Sequence, residues 1–225
     1  MTFRFRHMIA AVLTAALVSA FLSPAVLSKE DAQGKKGQAQ DPNQAAMQAG
    51  FKRWVDCCRL GPPHQHLARL LGKWDLAMSV MQPGTDTVVS QSKGKAENRW
   101  MVEGRWLISE ADYPMMLRDS KNFMIIGYDP FKQRYVSSSI SSAHNMMLHA
   151  EGATDQTGSI LFYGKMDEPV TNEHDKVLKT VFRFPSPDRH VIEVHELSHF
   201  EGKTLVLKFD FTRAKADGAS PGKKK

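Results

Sequence analysis

Apolar and polar residues alternate along most of the chain between residues 74 and 213. This period of two is typical of a β-strand with one buried face and one wet face. Turn-forming pairs such as Pro83-Gly84, Asp129-Pro130 and Glu201-Gly202 separate many of the alternating segments. The pattern predicts strands over 74–81, 87–91, 95–102, 106–111, 123–128, 135–141, 146–151, 160–165, 177–184, 191–197 and 204–213.

The predicted strands follow one another through short turns, with no long helix between them. Such a succession indicates an antiparallel sandwich or barrel, and a sheet that closes on itself has no open edge. We therefore predict an all-β fold, namely an antiparallel up-and-down β-barrel of about 8–10 strands with short N-terminal helices.

Trp74 and Arg213 mark the two ends of this pattern, because Trp74 opens the first clear strand and Arg213 closes the last. The first and last strands of a closed barrel are neighbours. Arg213 shares an alternating face with Leu207, Phe209 and Phe211. A charge on that apolar face requires a partner, and the indole of Trp74 offers a cation–π contact. We predict that both residues close the barrel and have a structural role.

Two helices are predicted before the barrel. Residues 44–59 place Met47, Phe51 and Trp54 at helical spacing, and Gly61-Pro62-Pro63 ends that segment. Residues 64–71 form the second helix, which Gly72 ends.

The two ends of the chain lack the alternating pattern. Arg4 and Arg6 precede an apolar run over 8–22, and small residues follow, which is the layout of a secretory signal peptide. The run is short for a membrane span, which needs about 20 residues. We therefore predict export to the periplasm or the extracellular medium and no retained membrane span. The predicted segments are a signal peptide (1–25), a flexible linker (26–43), the barrel domain with its helices (44–213) and a basic disordered tail (214–225).

The positive charge of the chain does not indicate a nucleic-acid partner. The full sequence carries 30 Lys and Arg against 24 Asp and Glu, a formal net charge of +6. Removal of residues 1–25 leaves 28 basic against 24 acidic residues, and residues 214–225 contribute +3 of the remaining +4. The folded region is thus close to neutral, so we exclude nucleic acid as a partner.

Several short motifs resemble one known family. Gly61-Pro62-Pro63-His64 and Gly72-Lys73-Trp74 resemble the opening of the domain-of-unknown-function 1579 family. Later motifs agree, namely Glu103-Gly104-Arg105-Trp106-Leu107, Ile126-Gly127-Tyr128-Asp129 and the final Thr212-Arg213. The resemblance covers Gly61 to Arg213 and implies a calycin-like (lipocalin-like) barrel, often exported, with no established activity. Trp106 within the Gly-Arg turn, the Cys57-Cys58 pair and the many histidines depart from the family pattern.

A barrel of this size encloses either a packed core or one small ligand. Alternation predicts an interior lined by Leu76, Met78, Trp100, Phe123, Ile125, Leu148, Phe162, Phe182, Leu207 and Phe209, with Asn98, Glu110 and His149 as polar candidates. The predicted function is non-catalytic binding of a small apolar molecule. Its ligand-binding set is Leu76, Met78, Asn98, Trp100, Phe123, Ile125, His149 and Phe209. The alternative is a solid barrel whose loops bind a protein partner.

Nine histidines and two adjacent cysteines raise a second alternative, a metal- or haem-binding barrel. Thiolates and imidazoles suit zinc or copper. The candidate ligands are Cys57, Cys58, His64 and His66 in one group and His195 and His199 in another. Neither group has the spacing of a standard site, so we assign no cofactor.

Catalysis has little support in the sequence. The serines within 137–142 lie close to His144 and His149, but the Gly-x-Ser-x-Gly motif of a nucleophile elbow is absent. A carboxylate pair of the glycosidase kind cannot be identified. We predict no catalytic residue, and the sequence does not indicate an oligomeric state.

Overall fold

The computed structural model of the protein describes residues 42–102, 104–115, 118–197 and 203–215. The predicted signal peptide (1–25), the linker as far as residue 41, the tail from residue 216 and His199 lie outside these residues. Among the described helices, none is long and apolar enough to cross a membrane.

Short helices precede ten strands. The helical elements are α1 (Pro42–Cys57), α2 (Pro62–Leu67) and the 3-10 helix η1 (Ala68–Leu70). The strands are β1 (Gly72–Met81), β2 (Val88–Val102), β3 (Trp106–Met115), β4 (Arg118–Asp129), β5 (Arg134–Ser141), β6 (His144–Thr154), β7 (Ile160–Glu168), β8 (Glu173–Ser186), β9 (Arg189–Glu196) and β10 (Leu205–Arg213).

The ten strands form one closed barrel. Each strand pairs antiparallel with its neighbours along the chain, and β10 pairs with β1 to close the sheet. The predicted all-β, up-and-down barrel with N-terminal helices is therefore confirmed.

The second helix begins earlier than predicted. Pro62 and Pro63 follow α1 and also open α2. The first turn of a helix leaves its N–H groups without an intrahelical partner, so a proline, which has no N–H, is tolerated there. The backbone N–H of Gly61 donates to Nδ1 of His64 at 3.1 Å, which caps this short helix.

β2 is one long strand where the sequence predicted two. The break was predicted around Gly94, but Gly94 lies within β2 and faces the interior. A Cβ at this position would lie 2.2 Å from the backbone oxygen of Asp112 and 2.6 Å from Cβ of Tyr113. Glycine is therefore required for the close approach of β2 and β3, which bends the sheet into a barrel.

The helical segment before β1 seals one end of the barrel. Leu67 and Leu70 are buried in a cluster with Leu107, Ile126, Tyr135, Ile160, Phe162 and Phe182, all at most 3 % exposed. The backbone oxygen of Leu70 accepts hydrogen bonds of 2.8 Å from the indole N–H of Trp74 and from Nδ2 of Asn98. These bonds fix η1 to β1 and β2, so we call this part of the interior the sealed half.

Trp74 and Arg213 meet at the seam between β1 and β10. They are directly paired in the register, and Cζ of Arg213 lies 4.3 Å from the centroid of the Trp74 ring. The guanidinium also donates to Asp188 Oδ1 at 2.8 Å and to the backbone oxygen of Leu71 at 3.0 Å. One side chain thus connects the first strand, the last strand and the β8–β9 turn.

His190 packs beneath this seam and is 2 % exposed. Its ring stacks on Phe211 at 4.3 Å between centroids and meets the edge of Trp74 at 4.4 Å. Burial, together with the charge of Arg213, lowers the pKa of His190 to about 3. The imidazole is therefore neutral at physiological pH.

Helix α1 has an apolar stripe but no buried residue. Phe51 and Trp54 stack with ring centroids 5.8 Å apart, and both remain exposed. The predicted helical spacing is present, although it does not bury this face in the barrel core.

Candidate functional site

The cross-strand register identifies the inner face of the barrel. Buried Leu107 pairs with Ile126, Ile126 with Ser137, and Ser137 with Ala150. Directly paired residues lie on the same face of a sheet, and side chains two residues apart also share that face. The inner position of Leu107 therefore fixes the facing of every neighbouring strand.

The half of the interior away from η1 differs from the sealed half. Seven of its inward-facing apolar side chains are only half-buried: Met124, Leu148, Leu178, Ile192, Val194, Leu207 and Phe209. An inward-facing side chain in a closed barrel remains exposed only where solvent enters the barrel. These seven residues, with Ser109, Ser137, Ser139 and Thr180, therefore line the end of the interior that solvent reaches, which we call the lumen.

Neutral polar groups cover one wall of the lumen, on β2 to β5. Ser109, Ser137 and Ser139 share the inner face, as the register shows. Two buried atoms on this wall have no hydrogen-bond partner among the described residues: Ser92 Oγ and Ser120 Oγ. Because an unpaired buried polar group costs about 1–3 kcal/mol, this wall holds hydrogen-bonding capacity that the protein itself does not use.

Tyr113 connects the polar wall to the apolar wall. Its ring meets Phe209 edge-on with centroids 5.5 Å apart. Burial raises the pKa of Tyr113 to about 12, and a hydrogen bond with the Asn122 side chain partly offsets this rise. The phenol therefore stays neutral at all physiological pH values.

One buried cation lies at the edge of the lumen. Lys176 alternates inward with Leu178 and is 6 % exposed. Its Nζ lies 2.8 Å from Glu196 Oε1 and 3.0 Å from Glu173 Oε2. Burial acts to lower the pKa of Lys176, but the hydrogen bonds to Glu196 and Glu173 outweigh burial and raise it. The ammonium is therefore charged and paired, and the group of three carries a net charge of −1.

The structure places five of the eight predicted ligand-binding residues inside the barrel. Leu76 and Met78 are fully buried beside Trp74, and Trp100 packs against the sealed cluster. Asn98 is buried and bound to η1. Of the five, Phe209 is the residue that lines the lumen.

The other three predicted ligand-binding residues lie on the outer face, which corrects the prediction. Phe123 and Ile125 alternate with the inward-facing Met124 and Ile126. His149 pairs with Ser138 and hydrogen-bonds its Oγ through Nδ1 at 2.8 Å, in an exposed position. Glu110, a polar candidate for the interior, also points outward and forms an exposed ion pair with Arg99 at 2.7 Å.

The metal candidates that the structure describes are not brought together. His64 Nδ1 accepts the Gly61 N–H, and the His66 ring lies 4.9 Å from that of Phe184. Cys57 and Cys58 are free thiols. In the part of the chain that the structure describes, no three His, Cys, Asp or Glu side chains form a metal-ligand group.

His195, the remaining described metal candidate, serves strand pairing. Its Nδ1 lies 3.0 Å from Thr204 Oγ1, and its Nε2 lies 3.7 Å from Glu193 Oε2. Burial lowers the pKa of His195, although the Glu193 charge acts in the opposite direction. This arrangement joins β9 to the start of β10 and leaves the neutral ring favoured.

Sequence reasoning missed the polar wall. The run from Ser137 to Ser139 was noted, but only its alternation reveals that Ser137 and Ser139 face inward and Ser138 outward. Asn122 stands in a strand whose apolar residues follow one another without a break, so its facing could not be read from the sequence. The signal was a serine at every second position of β5 from Ser137 to Ser141.

Comparison with known proteins places the chain in a family. A family model described as protein of unknown function (DUF1579) matches residues 59–213, more than half of the chain. The chain belongs to this family. The resemblance predicted from the Gly61, Gly72 and Gly127 motifs is thereby confirmed, and the family description assigns no activity.

One solved structure is similar to part of this DUF1579 barrel. The S-type phycobiliprotein lyase CPES from Guillardia theta matches 68 % of this chain and 92 % of its own, with 10 % sequence identity and a TM-score of 0.46. At this level the likeness carries no argument about fold or function. A search of curated proteins finds no match.

Proposed function

We propose that this protein is exported and binds one small, largely apolar molecule in the lumen without catalysing its conversion. The observation that carries the proposal is the contrast between the two halves of one interior. Side chains of the sealed half are at most 3 % exposed, whereas inward-facing Leu178, Val194 and Leu207 remain half-buried. A preformed apolar cavity with a few polar groups is the usual form of a small-molecule site.

Ligand binding would follow from burial of apolar area. Leu207, Phe209 and Ile192 form one continuous apolar surface across β9 and β10. Each buried methylene of a ligand contributes about 0.8 kcal/mol. Met124 adds a flexible side chain that adapts to ligands of different shape.

Two serine substitutions on one strand test this proposal. Ser139→Leu projects a larger side chain into the lumen. Ser138→Leu adds the same side chain at the preceding residue, which faces the outside of the barrel. The probe is Nile red, an uncharged apolar dye whose fluorescence rises when it leaves water. We expect the unmodified protein and Ser138→Leu to bind Nile red with similar affinity, and Ser139→Leu to bind it at least tenfold more weakly.

A second variant that fills the lumen from another strand shows whether weaker binding comes from lost space or from a folding defect. Thr180→Leu enters the lumen from β8, and circular dichroism with thermal unfolding checks that each variant keeps the barrel. Equal Nile red affinity in all four folded proteins, or no binding to the unmodified protein, would contradict the proposal.

Export has a separate test. The basic residues Arg4 and Arg6 before the apolar run over 8–22 support it. We expect the mature protein from the periplasm or the medium to lack the first 25 or so residues when its N-terminus is sequenced. An intact N-terminus on protein recovered from the cytoplasm would contradict export.

A further inference from the structure

We infer that the lumen selects a ligand whose buried polar group is uncharged, such as a hydroxyl or a carbonyl, over one that carries a carboxylate. This inference rests on the proposed ligand binding and specifies the class of ligand. It follows from the kind of polar group on the lumen wall and from the pairing of its charged residues.

The first observation is that the lumen wall on β3 to β5 is polar but neutral. Ser109, Ser137 and Ser139 present hydroxyl groups. Asn122, which pairs with Ala111 and Ser141 on the same inner face, is half-buried, and its side-chain amide hydrogen-bonds Tyr113. A ligand hydroxyl or carbonyl oxygen accepts a hydrogen bond from such an amide, and the hydroxyl can also donate to a serine oxygen.

The second observation is that the inward-facing ammonium of Lys176 is already paired with carboxylates of the protein. Lys176 is held by Glu196 and Glu173, and these three side chains together carry a charge of −1. A ligand carboxylate entering the lumen would meet this negative group and would find no free cation among the buried inward-facing side chains that the structure describes. Burying an unpaired carboxylate costs several kcal/mol, whereas a neutral hydroxyl with a partner costs little.

Arg118 is the one described cation that requires a separate test. It is the first residue of β4 and alternates with inward-facing Ser120, but it is exposed at the strand end. An anionic group could reach Arg118 only at the edge of the barrel, away from Asn122 and Ser139. A variant at this position therefore separates edge binding from binding within the lumen.

The test uses two probes of equal chain length, 1-decanol and decanoate, in competition with Nile red at pH 8. Decanoate is fully ionised at this pH. We expect 1-decanol to displace the dye with at least tenfold higher affinity than decanoate, and Arg118→Gln to leave both affinities unchanged. Equal affinities, or a preference for decanoate that Arg118→Gln abolishes, would overturn the inference while leaving ligand binding intact. Failure of the unmodified protein to bind Nile red would overturn both.

The variant Asn122→Leu tests the proposed donor. Leucine has a similar volume but removes the hydrogen bond to Tyr113, so we expect a modest fall in the free energy of unfolding and a barrel that still folds. The affinity for 1-decanol should fall about three- to tenfold, and the affinity for decanoate should stay the same. An unchanged preference for 1-decanol in this folded variant would show that Asn122 does not select the ligand.

Discussion

The buried imidazole of His190 should make the stability of the barrel depend on pH in a defined window. The pKa of His190 is about 3 in the folded protein, compared with about 6.5 for an unfolded histidine. Between these values the unfolded chain binds a proton that the folded protein does not bind. The free energy of unfolding therefore falls as the pH falls through 6.5 and continues to fall towards 3.

The size of this effect follows from the two pKa values. A fully developed difference contributes about 1.4 kcal/mol per pH unit. Because the unfolded histidine is only partly protonated near pH 6.5, lowering the pH from 7 to 5 should remove about 2 kcal/mol. His64, His66 and His195 also have lowered pKa values and act in the same direction.

A His190→Leu variant isolates the contribution of His190. Urea unfolding at pH 5, 6 and 7 gives the free energy of unfolding of each protein. The contributions of the other histidines cancel in the difference between the two proteins. We expect the unmodified protein to lose about 2 kcal/mol more than the variant between pH 7 and pH 5. A difference between the two proteins that is the same at all three pH values would refute the assignment of a buried neutral imidazole.

Three further substitutions test the fold. Arg213→Ala should lower the free energy of unfolding by about 2 kcal/mol in urea unfolding, because it loses charged hydrogen bonds and a cation–π contact; a fully stable variant would show that the seam does not depend on this residue. Gly94→Ala should cost about 2 kcal/mol or more through its clash with β3, whereas Lys93→Ala on the outer face should cost less than about 0.5 kcal/mol; equal losses would contradict the close approach. Lys176→Met should cost about 3 kcal/mol in chemical unfolding, because it leaves Glu196 without its counter-charge; a smaller loss than that of Lys93→Ala would exclude a buried ion pair.

The barrel itself could be predicted because most strands alternate cleanly. The first and last strands, which meet at the seam and carry Trp74 and Arg213, each have one apolar and one polar face. The alternation therefore placed both residues correctly on the inner face of the barrel. The structure brings them to 4.3 Å, as the pattern led us to expect. Clean alternation therefore predicts both the facing of a strand and its partner at the seam.

The interior could be predicted only in part. In β4, Phe123, Met124, Ile125 and Ile126 are all apolar, so alternation gives no reason to choose one face over the other. Cross-strand register makes that choice, and register depends on neighbours that the local pattern does not identify. The gap predicted at residues 92–94 is absent for a related reason, since Gly94, which the close approach of β2 and β3 requires, weakens the local strand pattern.

The lumen is a property of packing rather than of pattern. Whether inward-facing Leu178 and Val194 fill the barrel or leave space depends on barrel width and on side chains from opposite strands. The alternation of apolar and polar residues along one strand indicates neither the width of the barrel nor the side chains that face each other across it. The polar wall is similar, because Ser109 and Ser139 come to lie on either side of Met124 only through the register of β3, β4 and β5.

The most direct test of ligand binding in the lumen is native mass spectrometry of the exported protein, purified gently and without detergent. We expect a reproducible excess mass from one small molecule, released on denaturation and absent from Ser139→Leu but present in Ser138→Leu. A bare protein mass in every preparation, together with no Nile red binding, would contradict the account.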